Sequence, residues 1–207
     1  MDPILFPTRQ STITLQDITT DNWHRIIRLV VNKDQLTLVP PNVESLCEHQ
    51  FHLPQSIVKA IYADSIPVGY LRVQQVHKAC ATDATTTTTT SLATTPSNII
   101  ITDQTPTLPG TYQLECFMID QACQGLGFGT KALIRLQDQL VAQTTTLALV
   151  EEKAATNSPI TTSIKVSTAL FTKVHSDDSP EHFFASVGFS KDATGKEMFK
   201  PTILSVH

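Results

Sequence analysis

The stretch Tyr112-Gln-Leu-Glu-Cys-Phe-Met-Ile-Asp120 leads, after a short gap, into Gln124-Gly-Leu-Gly-Phe-Gly129. The first segment has the apolar character of a buried strand, and residues 130–140 have the pattern of a helix. The sequence therefore predicts a strand, a glycine-rich turn and a helix in direct succession. Glycines let a backbone approach a ligand closely, and the free N–H groups at a helix start attract anions, so this junction is typical of a phosphate site.

Two common phosphate motifs do not fit the turn. The dinucleotide motif G-x-G-x-x-G, started at Gly125, requires glycine or alanine where Thr130 stands. It also requires an acidic residue about 20 positions onward, where this chain has a threonine run. The P-loop requires glycine, lysine and then a hydroxyl residue, whereas Gly129, Thr130 and Lys131 come in a different order.

The pattern that fits is Q-x-x-G-x-G, placed directly after the apolar strand. It resembles the acetyl-CoA-binding motif of the GNAT family of N-acetyltransferases. The resemblance implies that Phe117 and Ile119 contact the pantetheine arm through their main chain. It also implies that the turn wraps the pyrophosphate of coenzyme A with these residues: Gln124, Gly125, Leu126, Gly127, Phe128, Gly129 and Thr130. The alternative is a glycine-rich connection that binds nothing, although three of the chain's seven glycines are concentrated here.

A second match lies downstream of the turn. Residues 169–175 predict a strand, and a short helix is predicted from Pro180, because proline suits a first helical turn and Gly188 suits the position just past the last. The GNAT family has here a helix of the form F-Y-x-x-x-G-F. Phe184 stands where that family usually has a tyrosine that protonates the coenzyme A thiolate.

A third match is N-terminal. Residues 13–31 predict a short strand and then an amphipathic helix, capped by Asp21 and with apolar positions up to Val31. The segment Pro-Asn-x-x-Ser-Leu-x-Glu follows at residues 41–48. This region resembles the diamine and spermidine acetyltransferase branch of the GNAT family. The resemblance implies a small-molecule amine substrate, and carboxylates on the N-terminal helices would bind a polyamine: Asp34, Glu44 and Glu48. Each carboxylate is equally compatible with an ordinary helix surface.

The remaining elements predict one α/β (α+β) domain over residues 11–200. Residues 56–63 and 68–73 predict two strands joined by a tight turn, and residues 194–200 predict a final strand pairing near Phe189. By resemblance, the fold is a mixed, mostly antiparallel sheet, splayed beside acetyl-CoA, with helices on both faces. Threonine-rich segments at 82–97 and 143–168 are expected as a disordered insertion and a partly ordered loop.

Composition excludes several classes of partner. The net charge of -4, without a lysine or arginine cluster, argues against nucleic acid. The sequence contains no run of about 18 apolar residues that would predict a membrane span. Residues 1–7 lack the basic start and long apolar middle typical of a signal peptide, so a cytoplasmic location is expected. The four cysteines lack zinc-like spacing, which predicts reduced thiols and no metal site. The oligomeric state is left open, with a homodimer as one candidate.

Amine acetylation requires a base, because a protonated amine has no lone pair. Glu115 and Asp120 lie on or beside the central strand, and Glu115 is the better candidate; the alternative is a solvated strand carboxylate. His175 and His182 are further proton-relay candidates. Because Phe184 cannot donate a proton, two hypotheses stand: an acetyl-CoA-dependent N-acetyltransferase, or a noncatalytic GNAT-like module that binds coenzyme A.

Overall fold

The computed structural model describes residues 6–53, 55–76, 111–150, 160–167 and 180–204. The strands in these ranges are β1 (Ile13–Gln16), β2 (Ile57–Ala63), β3 (Ile66–Val76), β4 (Thr111–Ile119), β5 (Ile160–Ser167), β6 (Ser190–Lys191) and β7 (Glu197–Leu204). The α-helices are α1 (Trp23–Ile26), α2 (Asn42–Phe51), α3 (Phe128–Val150) and α4 (Pro180–Ser186). Within the described ranges no helix has the length and apolar character needed to cross a bilayer.

The strands form one sheet in the order β1-β2-β3-β4-β5-β7-β6. Within it β4 and β5 pair in parallel, since α3 lies between them in the chain and returns it to the same edge. The other neighbouring strands pair antiparallel. The prediction of a mixed, mostly antiparallel sheet is therefore confirmed.

Each face of the sheet has its own apolar core. Helix α3 packs on one face through residues spaced three to five apart, including Phe128, Leu133, Leu136 and Leu140, each almost fully buried. The buried side chains of α4 join the same cluster. The opposite face is covered by α1 and α2, where Ile26 is fully buried. The two cores place the middle of β4 between helical layers.

The first helix ends at Ile26, short of the apolar positions up to Val31 that the sequence assigns to it. The Nδ2 of Asn42 donates to the Ile26 oxygen at 3.0 Å and to the Leu29 oxygen at 3.2 Å. These bonds tie the end of α1 and the turn after it to the first residue of α2. Asn22, and not Asp21, occupies the N-cap position.

The expectation of a loop over residues 143–168 is wrong for the described part of that segment. Helix α3 continues to Val150, and β5 occupies Ile160–Ser167. Threonine is β-branched and favours strands, so a threonine-rich stretch with Ile164 and Val166 buried at alternate positions forms a sheet strand. The predicted insertion at 82–97 and the predicted strand at 169–175 lie outside the described residues.

Replacement of Gly69 by alanine tests the close approach of β3 and β4. The added Cβ would lie 2.5 Å from the Met118 carbonyl oxygen and 2.9 Å from Ile119 Cδ1. Because that oxygen belongs to the β4 backbone, the strands must separate, and we expect the free energy of unfolding to fall by about 3 kcal/mol in urea denaturation. Gly195→Ala is the control, since its Cβ meets open space and only its φ of +69° is strained. Equal losses in the two variants would contradict this reading.

Candidate functional site

Strands β4 and β5 separate after the first third of β4. They pair only where Thr111, Tyr112 and Gln113 face Ser163, Ile164 and Lys165. Beyond that point β5 continues to pair with β7, while β4 runs on to Ile119. Among the described residues, the β5-facing edge of β4 therefore has no strand partner from Leu114 onward. An open edge of this kind presents backbone N–H and C=O groups that an extended ligand can pair with.

A cavity of about 420 Å³ lies at this separation. Its wall comes from the open half of β4, the turn before α3, α4, the end of β5 and the segment between α1 and α2. The described lining residues are Val31, Gln35, Leu38, Val39, Leu114, Glu115, Cys116, Phe117, Met118, Ile119, Cys123, Gln124, Gly125, Gly127, Phe128, Gly129, Thr130, Val166, Pro180, Phe183 and Phe184.

A β-bulge sits in the wall of this cavity. Arg72 pairs with Cys116 and the next β3 residue, Val73, pairs with Leu114, so Glu115 is the extra residue of β4. Because of the bulge, residues at alternate positions of β4 point to one face of the sheet before Glu115 and to the opposite face after it. Before it, Leu114 packs in the core beneath α3, whereas after it Cys116 packs in the core beneath α1 and α2. Strict alternation from the sequence would have placed those two side chains on the same face.

The turn before α3 has the backbone that its glycines predict. Gly125 has a φ of +74° and Gly127 a φ of +79°, a region that other residues rarely adopt. Gly129 lies close to Phe183, since a Cβ there would be 3.1 Å from Cζ of that ring, which would have to shift by a few tenths of an ångström. Of the nine residues expected to bind the cofactor, all but Leu126 line the cavity, and Leu126 packs against the core instead.

Gln124 fastens the turn to two distant parts of the chain. Its Nε2 donates to the Ile119 carbonyl oxygen at 2.9 Å and to Oε1 of Gln35 at 2.7 Å. Its own Oε1 accepts from Nδ2 of Asn32 at 2.7 Å. The side-chain amide of Gln124 is therefore used in holding the end of β4. Only the main chain of Gln124 is left to bind a ligand.

Asp120 has a structural position beside Gln124. One carboxylate oxygen accepts from the backbone N–H of Ala122 and the other from that of Val30, each at 3.0 Å. The Gln121 N–H in turn donates to the Val30 oxygen at 2.7 Å. These bonds fix the segment after α1 against the end of β4, which leaves Glu115 as the base candidate of the two.

The aromatic residues of α4 close the cavity on the side of β5. Phe184 is buried and stacks edge-on against Phe189, with ring centroids 5.3 Å apart. Phe183 lies parallel to Phe117 on β4, at 5.9 Å. Phe184 therefore stands at the cavity, where the resemblance places it, but it brings no proton donor. The hydroxyl of Ser186 donates to the Phe183 carbonyl oxygen and does not line the cavity.

Glu115 carries the one carboxylate among the described lining residues. Burial of this half-buried group raises the pKa of Glu115 above its usual value. The guanidinium of Arg72 opposes that rise, Glu48 adds to it, and Lys165 opposes it. A carboxylate destabilised in this way is a stronger proton acceptor than a solvated one, as a general base requires.

The three carboxylates expected to bind a polyamine lie outside the described cavity wall. Asp34 and Glu44 are exposed to solvent. Glu48 forms an ion pair with the buried Arg72, with Oε2 and Nη2 2.7 Å apart. Removing either partner would leave a charge beside Glu115, so the pair belongs to the electrostatic surroundings of the base candidate.

The remaining cysteines and histidines give no further catalytic candidate among the described residues. Burial raises the pKa of the Cys116 thiol to about 12, so this cysteine is a packing residue, and burial also raises the pKa of Cys123. His182 is exposed and does not line the cavity, while His175 lies outside the described residues. No group of three or more candidate metal ligands occurs in the described part of the chain.

Several wall residues carry no signal that sequence reasoning could have used. Gln35 and the apolar side chains of Val31, Leu38 and Val39 come from the segment between α1 and α2. They reach the cavity because of the hydrogen bonds made by Gln124 and Asp120, which connect residues about 90 positions apart. Phe183 had a signal, since it is the first aromatic residue of the helix pattern.

Comparison with known proteins identifies the fold. No protein-family model and no curated protein matches the chain. A putative acetyltransferase of the GNAT family from Desulfovibrio desulfuricans aligns over 93% of this chain and 99% of its own, at 14% identity and a TM-score of 0.44. A tyrosine-to-phenylalanine mutant of the AtaT toxin aligns over 97% and 95%, at 14% identity and a TM-score of 0.53. The same mutant bound to the C-terminus of the antitoxin AtaR aligns over 92% of this chain and 91% of its own, at 14% identity and a TM-score of 0.52.

The chain shares its fold with the AtaT structures. Splayed central strands and helices on both faces, expected from the resemblance, are present in the described residues. At identities this low the similarity concerns the fold alone, so both the site and the activity must be argued from the residues that line the cavity.

Gln124→Glu tests the fastening of the turn. The variant replaces the donating Nε2 with a carboxylate oxygen, which would face the carbonyl oxygens of Ile119 and Gln35. We expect the free energy of unfolding to fall by about 2 kcal/mol in urea denaturation. The control is Gln50→Glu, which makes the same change at an exposed position of α2. Similar stability of the two variants would show that the hydrogen bonds of Gln124 are dispensable.

Glu115→Gln tests the electrostatics of the base candidate. Because the pKa of Glu115 is raised on folding, the folded protein holds that proton more tightly than the unfolded chain. The wild type therefore loses stability as the pH rises from below the unfolded-chain pKa through the raised folded-state pKa. Urea denaturation over a pH series should show the variant gaining stability relative to the wild type across that window. A difference that does not change with pH would refute the raised pKa.

Proposed function

We propose that this protein is an acetyl-CoA-dependent N-acetyltransferase that acts on a primary amine. The observation that carries the proposal is the meeting of two features on one cavity: the open edge of β4 and the positive-φ glycine turn before α3. An extended amide-containing arm suits the first feature, and a phosphate suits the second. A thioester of coenzyme A combines both chemistries in one molecule.

The described residues fit such a co-substrate. The main chain of Phe117 and Ile119 would pair with the pantetheine arm, since β4 has no described strand partner on that edge. The backbone N–H groups of the turn would hold the pyrophosphate at the positive end of the 23-residue helix α3. The side chains of Phe117, Phe183 and Phe184 would keep water from the thioester end.

The chemistry then depends on Glu115. Its carboxylate would take the proton of the incoming ammonium, directly or through a water, so that the amine lone pair can attack the thioester carbonyl. A nitrogen–carbon bond forms, the carbon–sulfur bond breaks as the thiolate leaves, and the nitrogen gives its remaining extra proton to water to yield the neutral amide. Phe184 cannot protonate the departing sulfur. A thiol has a pKa near 8.5, so the thiolate can leave without an acid.

The acceptor is the less constrained part of the proposal. A small polyamine such as spermidine is the candidate that the N-terminal resemblance favours. The Glu48 carboxylate is paired with Arg72, and Asp34 and Glu44 do not line the described cavity, so these groups give the polyamine no direct support. We therefore propose a primary amine as the acceptor class, with spermidine as one member to be tested.

A noncatalytic module that binds coenzyme A is the second candidate. Phe184 favours it, because a buried phenylalanine replaces the family's usual proton donor. The two functions share the cofactor site and differ in turnover. Binding of acetyl-CoA without thiol release from any amine would select the module.

Gly127→Ala tests the site, with Gly195→Ala as the control. The assay measures thiol release from acetyl-CoA with spermidine, spermine, putrescine and unrelated monoamines as acceptors. Both glycines have positive φ and open space for a Cβ, so each substitution costs about 1 kcal/mol of stability for the same reason. Only Gly127 lies in the turn. We expect Gly127→Ala to lower kcat/KM for acetyl-CoA at least about tenfold, which corresponds to roughly 1.4 kcal/mol, and Gly195→Ala to leave it near the wild-type value. Equal activities would overturn the assignment of the turn.

A further inference from the structure

An N-terminal arm, residues 6–12, lies against the glycine turn and the start of α3. Nη2 of Arg9 donates to the Gly125 carbonyl oxygen at 3.2 Å. In the opposite direction, Nζ of Lys131 donates to the Arg9 carbonyl oxygen at 2.6 Å and to the Ser11 carbonyl oxygen at 3.3 Å. The arm and the turn are therefore joined from both sides, and the guanidinium of Arg9 is held beside a residue that lines the cavity.

This arrangement places two cations at the positive end of a helix. The first turn of α3 contains Lys131 and no acidic residue, and the arm adds Arg9. A helix N-terminus favours negative charge, so two cations there are unfavourable unless an anion joins them. Within the described residues, neither Arg9 nor Lys131 forms an ion pair with a carboxylate. Residues 124–130 contribute no charged side chain.

The two cations have different tasks. Both recorded contacts of Lys131 go to carbonyl oxygens of the arm, so its ammonium fixes the position of Arg9. Arg9 uses Nη2 for Gly125, and a guanidinium has five N–H donors, so it retains donors for an anion. Its planar fork matches the oxygens of a phosphate, and its exposed position leaves it accessible to a ligand in the turn.

We propose that Arg9 is a specificity-determining residue of the coenzyme A site, whose guanidinium binds a phosphate of the cofactor. The inference rests on the proposed function, because it takes the ligand of the turn to be coenzyme A. It adds that the N-terminal arm is part of the site and that Arg9 selects for phosphorylated thioesters over phosphate-free ones.

The experiment measures dissociation constants by calorimetry for the wild type, Arg9→Ala, Arg9→Lys and Arg135→Ala. The last is a matched control, since Arg135 is an exposed arginine elsewhere on α3. The ligands are coenzyme A, dephospho-coenzyme A, which lacks the 3′-phosphate, and pantetheine, which lacks every phosphate. Coenzyme A binding is measured at low and at high salt, because screening weakens an exposed charge pair and leaves a packing effect unchanged.

We expect Arg9→Ala to weaken coenzyme A binding about tenfold at low salt, Arg9→Lys to lose less, and Arg135→Ala to match the wild type. Binding of coenzyme A by Arg9→Ala should also depend less on salt. If dephospho-coenzyme A is weakened equally, Arg9 contacts the pyrophosphate; if it is not weakened, Arg9 contacts the 3′-phosphate.

Three outcomes would overturn the inference: unchanged coenzyme A binding in Arg9→Ala, an equal loss for pantetheine, or an unchanged salt dependence. Each would limit Arg9 to a structural contact with Gly125, and none would affect the proposed N-acetyltransferase. Failure of the wild-type protein to bind coenzyme A at all would instead refute the proposed function itself.

Discussion

The bulge at Glu115 is the constraint on which the site depends. One extra residue in β4 bends the strand and raises its twist, and the pairing with β5 ends immediately before it. The same residue exchanges the faces of the strand, so that Phe117 and Ile119 turn toward the core beneath α3. The open edge, the cavity and the position of the base candidate thus have one local cause.

The cavity is completed by long-range hydrogen bonds. Gln124 and Asp120 each hold part of the segment between α1 and α2, although about 90 residues separate the partners. Arg9 and Lys131 join the arm and α3 over a still longer separation. The wall is therefore assembled from segments far apart in the chain, and the part contributed by the segment between α1 and α2 is in place only when that segment is held against the end of β4.

The environment of Glu115 fits the proposed chemistry. Apolar neighbours such as Phe117 disfavour the ionised carboxylate, and the pair formed by Glu48 and Arg72 offsets part of the attraction that a lone arginine would exert. The same burial would disfavour the ammonium of a bound amine, which would favour proton transfer to Glu115. Phe184 adds to this apolar character and cannot donate a proton. In the proposed reaction the sulfur would therefore leave as an unprotonated thiolate.

Local pattern alone predicted much of this protein. The glycines of the turn, the helix from Pro180 and the strand pairs follow from dihedral preferences and apolar periodicity, which act over a few residues. The nine expected cofactor residues came from the family resemblance and not from periodicity, and eight of them line the cavity. Only the tertiary structure decided that Glu115 forms a bulge, that Glu48 pairs with Arg72 and that Arg9 reaches the turn. Each of these three outcomes depends on contacts between residues far apart in the chain. Such contacts produce no periodic pattern in a single sequence from which they could be predicted.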